Sequence, residues 1–257
     1  MKKIVSLFLF AVMVSATVFA QADAEPDFSA VCSSGQVIYY KVVNYGEVNV
    51  WYNSDYPEVL GGFVVIPRVV RHDGQNYVVT GIADDAFANC IRIQGMELPT
   101  TMFFVGDRAF YRCTDLRFIF MPKTLTYIGA SAFEGCTALL DVVMPHTVTD
   151  LGAYAFKDCT NVRHFVISHG LEVIPEGAFQ NCCSVTDYLI PASVTTIGCH
   201  AFDGYRSLKS VTFFGSVPPE PDCEPAFGRE IPITVMSKHF AAYKASYIWG
   251  QYTIQAM

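Results

Sequence analysis

The sequence predicts an α/β fold in the form of an elongated right-handed solenoid, rich in strands and with short helical turns. Two observations predict it. The dipeptide Ala-Phe recurs six times at intervals of 23 residues without a slip, and short apolar segments recur with the same period. The Ala-Phe pairs begin at Ala86, Ala109, Ala132, Ala155, Ala178 and Ala201. One such unit cannot bury its own apolar face, whereas stacked units bury it against one another.

Three further columns keep this period. Aliphatic residues lie four positions before each Ala, at Ile82, Val105, Ile128, Leu151, Ile174 and Ile197. Cysteines lie three positions after each Phe, at Cys90, Cys113, Cys136, Cys159 and Cys182, and Tyr205 takes the sixth place. Prolines form the third column at Pro99, Pro122, Pro145 and Pro191, with Ser168 as the exception. A fixed period of this length lies in the range of leucine-rich repeats.

Each unit predicts a strand, a corner, a second extended stretch and a short turn. In one unit Leu116, Ile119 and Met121 are apolar, and the last two alternate as the inward side chains of a strand. The following proline ends the strand, because it cannot donate to a ladder. Strands of successive units are expected to pair in parallel, with the Phe rings stacked in a spine. Acidic residues before the Ala-Phe turns are interpreted as helix-start caps, namely Asp84, Asp85 and Asp107.

The flanks are predicted to cap the solenoid. Short strands are expected at 37–43 and 47–51, and Phe63-Val-Val-Ile66 has the pattern of a repeat strand. The stretch from Pro67 to Ile82 is nine residues longer than its counterpart and contains Asp73-Gly74, which predicts a β-hairpin insertion near 68–81. After a degenerate Ala226-Phe227, a strand near 233–235, a helix over 238–247 and a closing strand at 253–254 are expected. The predicted domains are a signal peptide (1–20), an N-terminal β cap (21–61), the solenoid (62–214) and a C-terminal cap (215–257).

The first twenty residues have the three parts of a secretory signal peptide. Lys2 and Lys3 precede an apolar run that ends in Val18-Phe-Ala20. A membrane anchor is the alternative, and a second cut after Ala24 is open. Loss of the two lysines takes the formal charge from −7 to −9. No Lys/Arg cluster is present, so nucleic acid and anionic membranes are disfavoured as partners, and no later segment is expected to span a membrane.

The repeat columns resemble those of the BspA-type leucine-rich repeat family. The resemblance rests on Leu125-Thr-Tyr-Ile-Gly129 and on the following Ala-Phe, Cys and Leu columns, and it covers about residues 62–214. The sequence departs from the better-known leucine-rich consensus at Thr124 and Thr147, which hold the Asn or Cys position. The resemblance implies a bacterial cell-surface or exported protein, often involved in adhesion or protein binding. It implies no catalytic residues and no cofactor.

Other chemistry is not favoured by the sequence. The Cys column is interpreted as a stack of small buried thiols rather than as a metal ladder or sequential disulfides, because it lacks paired C-x-x-C spacing. A bridge among Cys183, Cys199 and Cys223 is open, as is the state of Cys32. No paired-histidine zinc motif, G-x-S-x-G elbow or phosphate-binding glycine loop is present. We therefore expect no enzyme and no metal.

One candidate binding surface follows from strand alternation. Two outward columns are predicted, one from Glu97 through Phe120, Val143, Val166 and Leu189 to Thr212, and one from Gly95 through Phe118, Asp141, His164 and Asp187 to Ser210. The predicted site residues are Phe118, Phe120, Val143, His164, Val166 and Leu189. An exposed apolar stripe usually marks an interaction site, although β-branched residues also simply suit strands. The primary hypothesis is a protein-binding or adhesion protein.

A second hypothesis is a surface protein that captures glycans. Aromatic residues near the two termini are the candidates for stacking on sugar rings, namely Tyr39, Tyr40, Trp51, Tyr52, Trp249 and Tyr252. The alternative is that these side chains pack the caps. A hydrolase with its site in the flanks is a third, disfavoured hypothesis, because no acid, base and nucleophile can be assembled from the sequence.

Overall fold

A computed structural model describes residues 25–52, 59–223, 227 and 231–257 of the chain. The predicted signal peptide and Ala226 lie outside the described residues. The described part is a strand-rich solenoid in which each repeat lies beside the next. The right-handed sense of the coil and the assignment of the flanks as caps stay predictions.

The N-terminal region forms hairpins that join the repeat ladder. Its strands are β1 (Phe28–Val31), β2 (Val37–Asn44), β3 (Glu47–Val50), β4 (Gly62–Val65), β5 (Val69–His72) and β6 (Gln75–Ile82). The β1–β2, β2–β3 and β5–β6 pairs are antiparallel. Asp73 and Gly74 form the turn between β5 and β6, both with positive φ, which confirms the predicted hairpin insertion. Strand β3 pairs in parallel with β6, so the ladder begins before the first Ala-Phe repeat.

Each repeat then contributes a longer and a shorter strand. The longer set continues from β4 with β7 (Ile93–Glu97), β9 (Phe118–Phe120), β11 (Asp141–Val143), β13 (His164–Val166), β15 (Asp187–Ile190), β17 (Ser210–Phe213) and β19 (Ile233–Val235). The shorter set is β8 (Phe104–Val105), β10 (Tyr127–Ile128), β12 (Asp150–Leu151), β14 (Val173–Ile174), β16 (Thr196–Ile197) and β18 (Glu220–Pro221). Pairing within each set is parallel, as predicted. The aliphatic column is thereby brought into register, with Ile128 between Val105 and Leu151.

The phenylalanine column forms a continuous spine through the core. The six rings are at most 1% exposed, and consecutive centroids lie 5.0 to 6.3 Å apart. The cysteine column lies beside the spine and is fully buried. The thiol of Cys136 donates to the carbonyl oxygen of Phe110 at 3.2 Å, and Cys113 contacts Phe87 in the same way at 3.1 Å. These cysteines are therefore small buried side chains that also satisfy a backbone acceptor.

The predicted helical turn at each Ala-Phe pair is wrong. Within residues 83–205 each segment around an Ala-Phe pair forms consecutive turns and no helix, because two positions per repeat have positive φ, which interrupts a right-handed helix. These positions precede Ala, at Asp85, Arg108, Ser131, Tyr154, Gly177 and His200, and follow Phe by two residues, at Asn89, Arg112, Gly135, Asp158, Asn181 and Gly204. We call the segments 83–90, 106–113, 129–136, 152–159, 175–182 and 198–205 the turn side.

Backbone bonds between repeats replace the missing helical bonds on the turn side. The amides of Ser131, Phe133 and Gly135 donate to carbonyl oxygens of the next repeat, at distances of 2.9, 2.8 and 2.8 Å. The same three bonds recur at successive repeats, for example from Phe110 to Ala132. The turn side is thus a third parallel ladder, although it has no strand conformation.

The aspartates interpreted as helix caps connect neighbouring repeats instead. Asp84 Oδ1 accepts the amide of Asp107 at 2.7 Å, and Asp107 Oδ1 accepts the amide of Ala130 at 2.7 Å. Asp85 has positive φ and forms an ion pair with Arg108. The cap prediction is therefore wrong, because no helix begins at these residues.

The C-terminal end packs a short helix and a last strand against the final repeats. Helix α1 (Phe240–Ala245) lies between two 3-10 turns, Ser237–His239 and Trp249–Gln251, and β20 (Ile254–Ala256) pairs in parallel with β19. This confirms the predicted strand near 233–235 and the closing strand. The predicted helix is present but shorter than the expected 238–247. Trp249 is buried, and its Nε1 donates to the carbonyl oxygen of Pro219 at 2.6 Å. Cys199 and Cys223 form a disulfide, whereas Cys183 and Cys32 are free thiols.

Candidate functional site

The outward side chains of the longer strand set form the candidate binding surface, which we call the strand face. It comprises Phe63, Val65, Gly95, Glu97, Phe118, Phe120, Asp141, Val143, His164, Val166, Asp187, Leu189, Ser210 and Thr212. All six predicted site residues point outward and are exposed. The exposed fractions are 44% for Phe118, 56% for Phe120, 64% for Val143, 45% for Val166 and 53% for Leu189. These large apolar side chains are therefore in contact with solvent although they lie on regular strands.

Strand register brings these residues into two neighbouring columns. Val143 pairs with Val166, and Asp141 pairs with His164, across β11 and β13. The next pair of strands repeats the arrangement, with Leu189 beside Thr212 and Asp187 beside Ser210. Parallel pairing with no register shift within these two strand pairs therefore keeps one column apolar from Val143 to Leu189, and the other column is polar from Asp141 to Ser210.

The structure adds Phe63 to the surface, which the sequence analysis had placed only in a strand. Phe63, Gly95 and Phe118 lie side by side in register on β4, β7 and β9. The ring of Phe63 lies over Gly95, because a Cβ on Gly95 would be 2.7 Å from Phe63 Cδ2. Gly95, expected to be exposed, is consequently buried. The ring centroid of Phe63 is 6.2 Å from that of Phe120.

Charged side chains border the apolar column. The carboxylates of Glu97, Asp141 and Asp187 are exposed on the strand face, and basic residues occupy the adjoining positions Arg117, Arg163 and Lys209. Within the described part of the chain, none of these six side chains forms an ion pair. Asp187 accepts a hydrogen bond from Ser210 Oγ at 2.6 Å. The surface therefore offers charges of both signs to a partner.

The aromatic residues proposed for glycan stacking are largely used inside the protein. Tyr40, Trp249 and Tyr252 are 0%, 1% and 8% exposed and pack in the core, so they cannot stack on a sugar. Tyr39 and Trp51 are half-buried, and only Tyr52 is exposed. The terminal aromatic residues therefore do not form one accessible platform, and this part of the glycan hypothesis is wrong.

The buried cysteines are poor candidates for reactive or metal-binding chemistry. Burial raises the pKa of the Cys90 thiol from 9.0 to about 12, and burial is also the main cause that raises the pKa of Cys182 to about 12. A reactive or metal-bound cysteine needs the thiolate, which burial here disfavours. Among the described residues, no three His, Cys, Asp or Glu side chains are grouped so that they could hold a metal ion. The expectation that the chain is not an enzyme stays a prediction.

The repeat columns decide the family. The sequence profile described as "BspA type Leucine rich repeat region" matches residues 80–209 as six copies, which is just over half of the chain. The chain belongs to the BspA-type leucine-rich repeat family. This confirms the resemblance of the repeat columns, and the fold described above is the solenoid of that family. A search among curated proteins gives no match to this chain.

Solved bacterial structures share the fold of this BspA-type chain. It is similar to a leucine-rich repeat protein of T. pallidum, with 22% identity, a TM-score of 0.62, and coverage of 86% of this chain and 97% of that one. It is also similar to a leucine-rich cell surface protein of Faecalibacterium prausnitzii, with 23% identity, a TM-score of 0.56, and coverage of 77% of this chain and 57% of that one. For a leucine-rich repeat protein of Bacteroides ovatus the identity is 20% and the TM-score 0.52, with coverage of 78% of this chain and 64% of that one. The chain thus spans only about three fifths of the last two proteins.

Proposed function

We propose that this chain is an exported, non-enzymatic repeat protein that binds another protein through its strand face, in cell-surface adhesion or host interaction. The observation that carries the proposal is the exposed apolar column of Phe120, Val143, Val166 and Leu189, with Phe118 beside it. Water contact with such a column is unfavourable, and exposed apolar patches on soluble proteins commonly mark interaction sites. Solenoids of this kind use extended repeat surfaces to bind their partners.

Export and a surface location are supported by two further observations. Residues 1–20 have the pattern of a signal peptide, which would direct the chain across a membrane. One protein with the same fold, that of F. prausnitzii, is described as a cell surface protein. The described helices are all too short or too polar to cross a bilayer. On this proposal the functional unit comprises residues 21–61, 62–214 and 215–257 as N-terminal cap, solenoid and C-terminal cap.

A binding experiment with matched variants tests the proposal. Residues 21–257 are immobilised and exposed to host and bacterial surface proteins, beside the double variant Phe118→Ser/Phe120→Ser. A second double variant, Phe103→Ser/Val173→Ser, removes two exposed apolar side chains at the shorter strand set. Phe103 precedes β8 and is 52% exposed, and Val173 lies on β14 and is 48% exposed. We expect a partner whose affinity falls at least about tenfold with the first variant and is unchanged with the second. Equal binding of the partner by the unsubstituted chain and by both double variants would refute the site.

A further inference from the structure

We propose that the N-terminal end of the strand face is a subsite for an arginine or lysine side chain of the bound protein. The inference rests on the proposed protein-binding function and names the chemistry of its partner. The subsite consists of the rings of Phe63, Phe118 and Phe120, which we call the aromatic platform, and of the carboxylate of Glu97. None of its side chains is buried in the core.

Strand register assembles the aromatic platform from three strands. Phe63, Gly95 and Phe118 form one row, and Val65, Glu97 and Phe120 form the next. Glu97 follows Gly95 by two residues on β7, so both belong to the same outward face. The absent side chain of Gly95 lets the Phe63 ring lie across the row, toward Phe120. Glu97 therefore pairs directly with Phe120 and lies one row from Phe63 and Phe118.

A cationic side chain matches this arrangement better than a neutral one. The face of an aromatic ring attracts a cation within about 6 Å of its centroid, and the aliphatic stem of Arg or Lys covers apolar surface. A neighbouring carboxylate, which is also negative, attracts the same cation. The basic residues that adjoin the strand face do not pair with Glu97 within the described part of the chain. Glu97 is thus available to a charge from the partner.

Two half-buried tyrosine rings of the turn side already carry a cation of the chain itself. The guanidinium carbons of Arg108 and Arg112 lie 4.7 and 5.1 Å from the centroid of the Tyr111 ring. Lys157 Nζ lies 5.3 Å from the centroid of the Tyr154 ring. In the described residues, no such contact is made to the rings of the aromatic platform. The platform therefore differs from these two tyrosines in that no cation of the described chain occupies its rings.

The aromatic platform is continuous with the apolar column, and this continuity indicates that the partner binds as an extended segment. Phe120 begins the column that continues through Val143, Val166 and Leu189. An extended polypeptide segment laid along this column would place apolar side chains on it and a basic side chain on the platform. The mature chain carries a formal charge of −9 without its signal peptide, which also favours a basic segment.

The test uses a displayed library of random nonapeptides selected on residues 21–257. We expect the selected peptides to contain Arg or Lys at a fixed distance from apolar residues. In a synthetic copy of a selected peptide, replacement of its arginine by the neutral isostere citrulline should weaken binding about two- to fivefold at low salt. That loss should shrink in Glu97→Gln and persist in the control Glu172→Gln, whose carboxylate is exposed next to the shorter strand set.

Two outcomes would overturn the inference. Peptides that lose binding with Val143→Ser/Leu189→Ser, yet show no basic preference and no response to Glu97→Gln, would exclude the cation subsite and leave the proposed function intact. A selection that yields no peptide sensitive to any strand-face substitution would refute the subsite and the proposed function together. Among the described residues the carboxylate of Glu97 makes no ion pair, and the residue is exposed, so its amide variant is expected to fold normally.

Discussion

The turn side and the strand face of the same repeats differ in how their side chains are paired. On the turn side, Arg108 and Asp85 approach to 2.9 Å, Lys157 and Glu134 to 3.2 Å, and Asn181 Nδ2 donates to Asp158 at 2.6 Å. Each of these pairs joins consecutive repeats. On the strand face, six large apolar side chains are exposed and the neighbouring carboxylates form no ion pair among the described residues.

This difference separates the side chains that serve the fold from those that do not. Both sides of the repeat have the same kind of backbone ladder to the next repeat. Exposed ion pairs contribute little, about 0–1 kcal/mol each, so the turn-side pairs mainly satisfy local charges. Stability comes from the buried spine and thiols behind the turn side. The apolar column of the strand face is exposed and does not belong to this core, which is why we propose it as a binding surface.

The largest effect is expected from shortening a spine residue. Phe133 is fully buried between two rings at 5.0 Å, so Phe133→Ala should lower the free energy of unfolding by about 3–5 kcal/mol through the cavity that it leaves. The matched substitution Phe118→Ala, on the strand face, should cost less than about 1 kcal/mol. Urea titration followed by circular dichroism measures both. Similar losses for the two variants would abolish the distinction between the two sides.

An intermediate effect is expected at alkaline pH. Burial raises the pKa of the Cys90 and Cys182 thiols from 9.0 to about 12 in the folded protein. Below pH 9 the thiols hold their protons in both the folded and the unfolded chain, so their contribution to stability is complete. Above it the unfolded chain releases protons that the folded chain keeps, so stability is lost as pH rises, by up to about 1.4 kcal/mol per pH unit for each thiol.

Chemical unfolding at about pH 8.5 and about pH 10 measures this slope. Cys182→Ala should lower stability at both values through the lost side chain, yet it should show a shallower decrease between them. A strand-face variant such as Val143→Ser should keep the full slope, because it removes no titrating group. An unchanged slope in Cys182→Ala would contradict the assignment of alkaline sensitivity to the thiols of the turn side.

The smallest effect is expected from polar substitutions on the strand face. Leu189 is 53% exposed, so Leu189→Ser should change the free energy of unfolding by no more than about 0.5 kcal/mol. Thermal unfolding monitored by circular dichroism is sufficient to detect a larger change. Loss of several kcal/mol here would show that the apolar column supports the fold and would remove the argument for a binding role.

The sequence predicts the buried half of each repeat well. Residues such as Phe133, Cys136 and Ile128 are fully buried, and burial against identical neighbours is what keeps a column constant over six repeats. Strand alternation likewise orients Val143 and Val166 correctly, because adjacent side chains of a strand point to opposite faces. Both predictions depend on local periodicity, which a single sequence displays directly.

Features without a repeated residue type could not be predicted. The positive-φ position before Ala is occupied by Asp, Arg, Ser, Tyr, Gly and His in turn, so side-chain identity gives no sign of it. Phe63 lies 32 residues before Gly95 rather than 23, since the hairpin insertion displaces it from the period. The pairing of Cys199 with Cys223 depends on how the chain returns after β18, which no column encodes.

The three parallel ladders also bear on how such a chain can change in length. Among the described residues, the backbone hydrogen bonds between repeats join each repeat to those before and after it, and each Ala-Phe unit is 23 residues long. Unequal recombination between two copies in the gene would therefore add or remove a whole unit while every hydrogen bond finds an equivalent partner. The strand face would gain or lose one row at each such event. The length of the strand face can thus evolve separately from the stability of any one repeat.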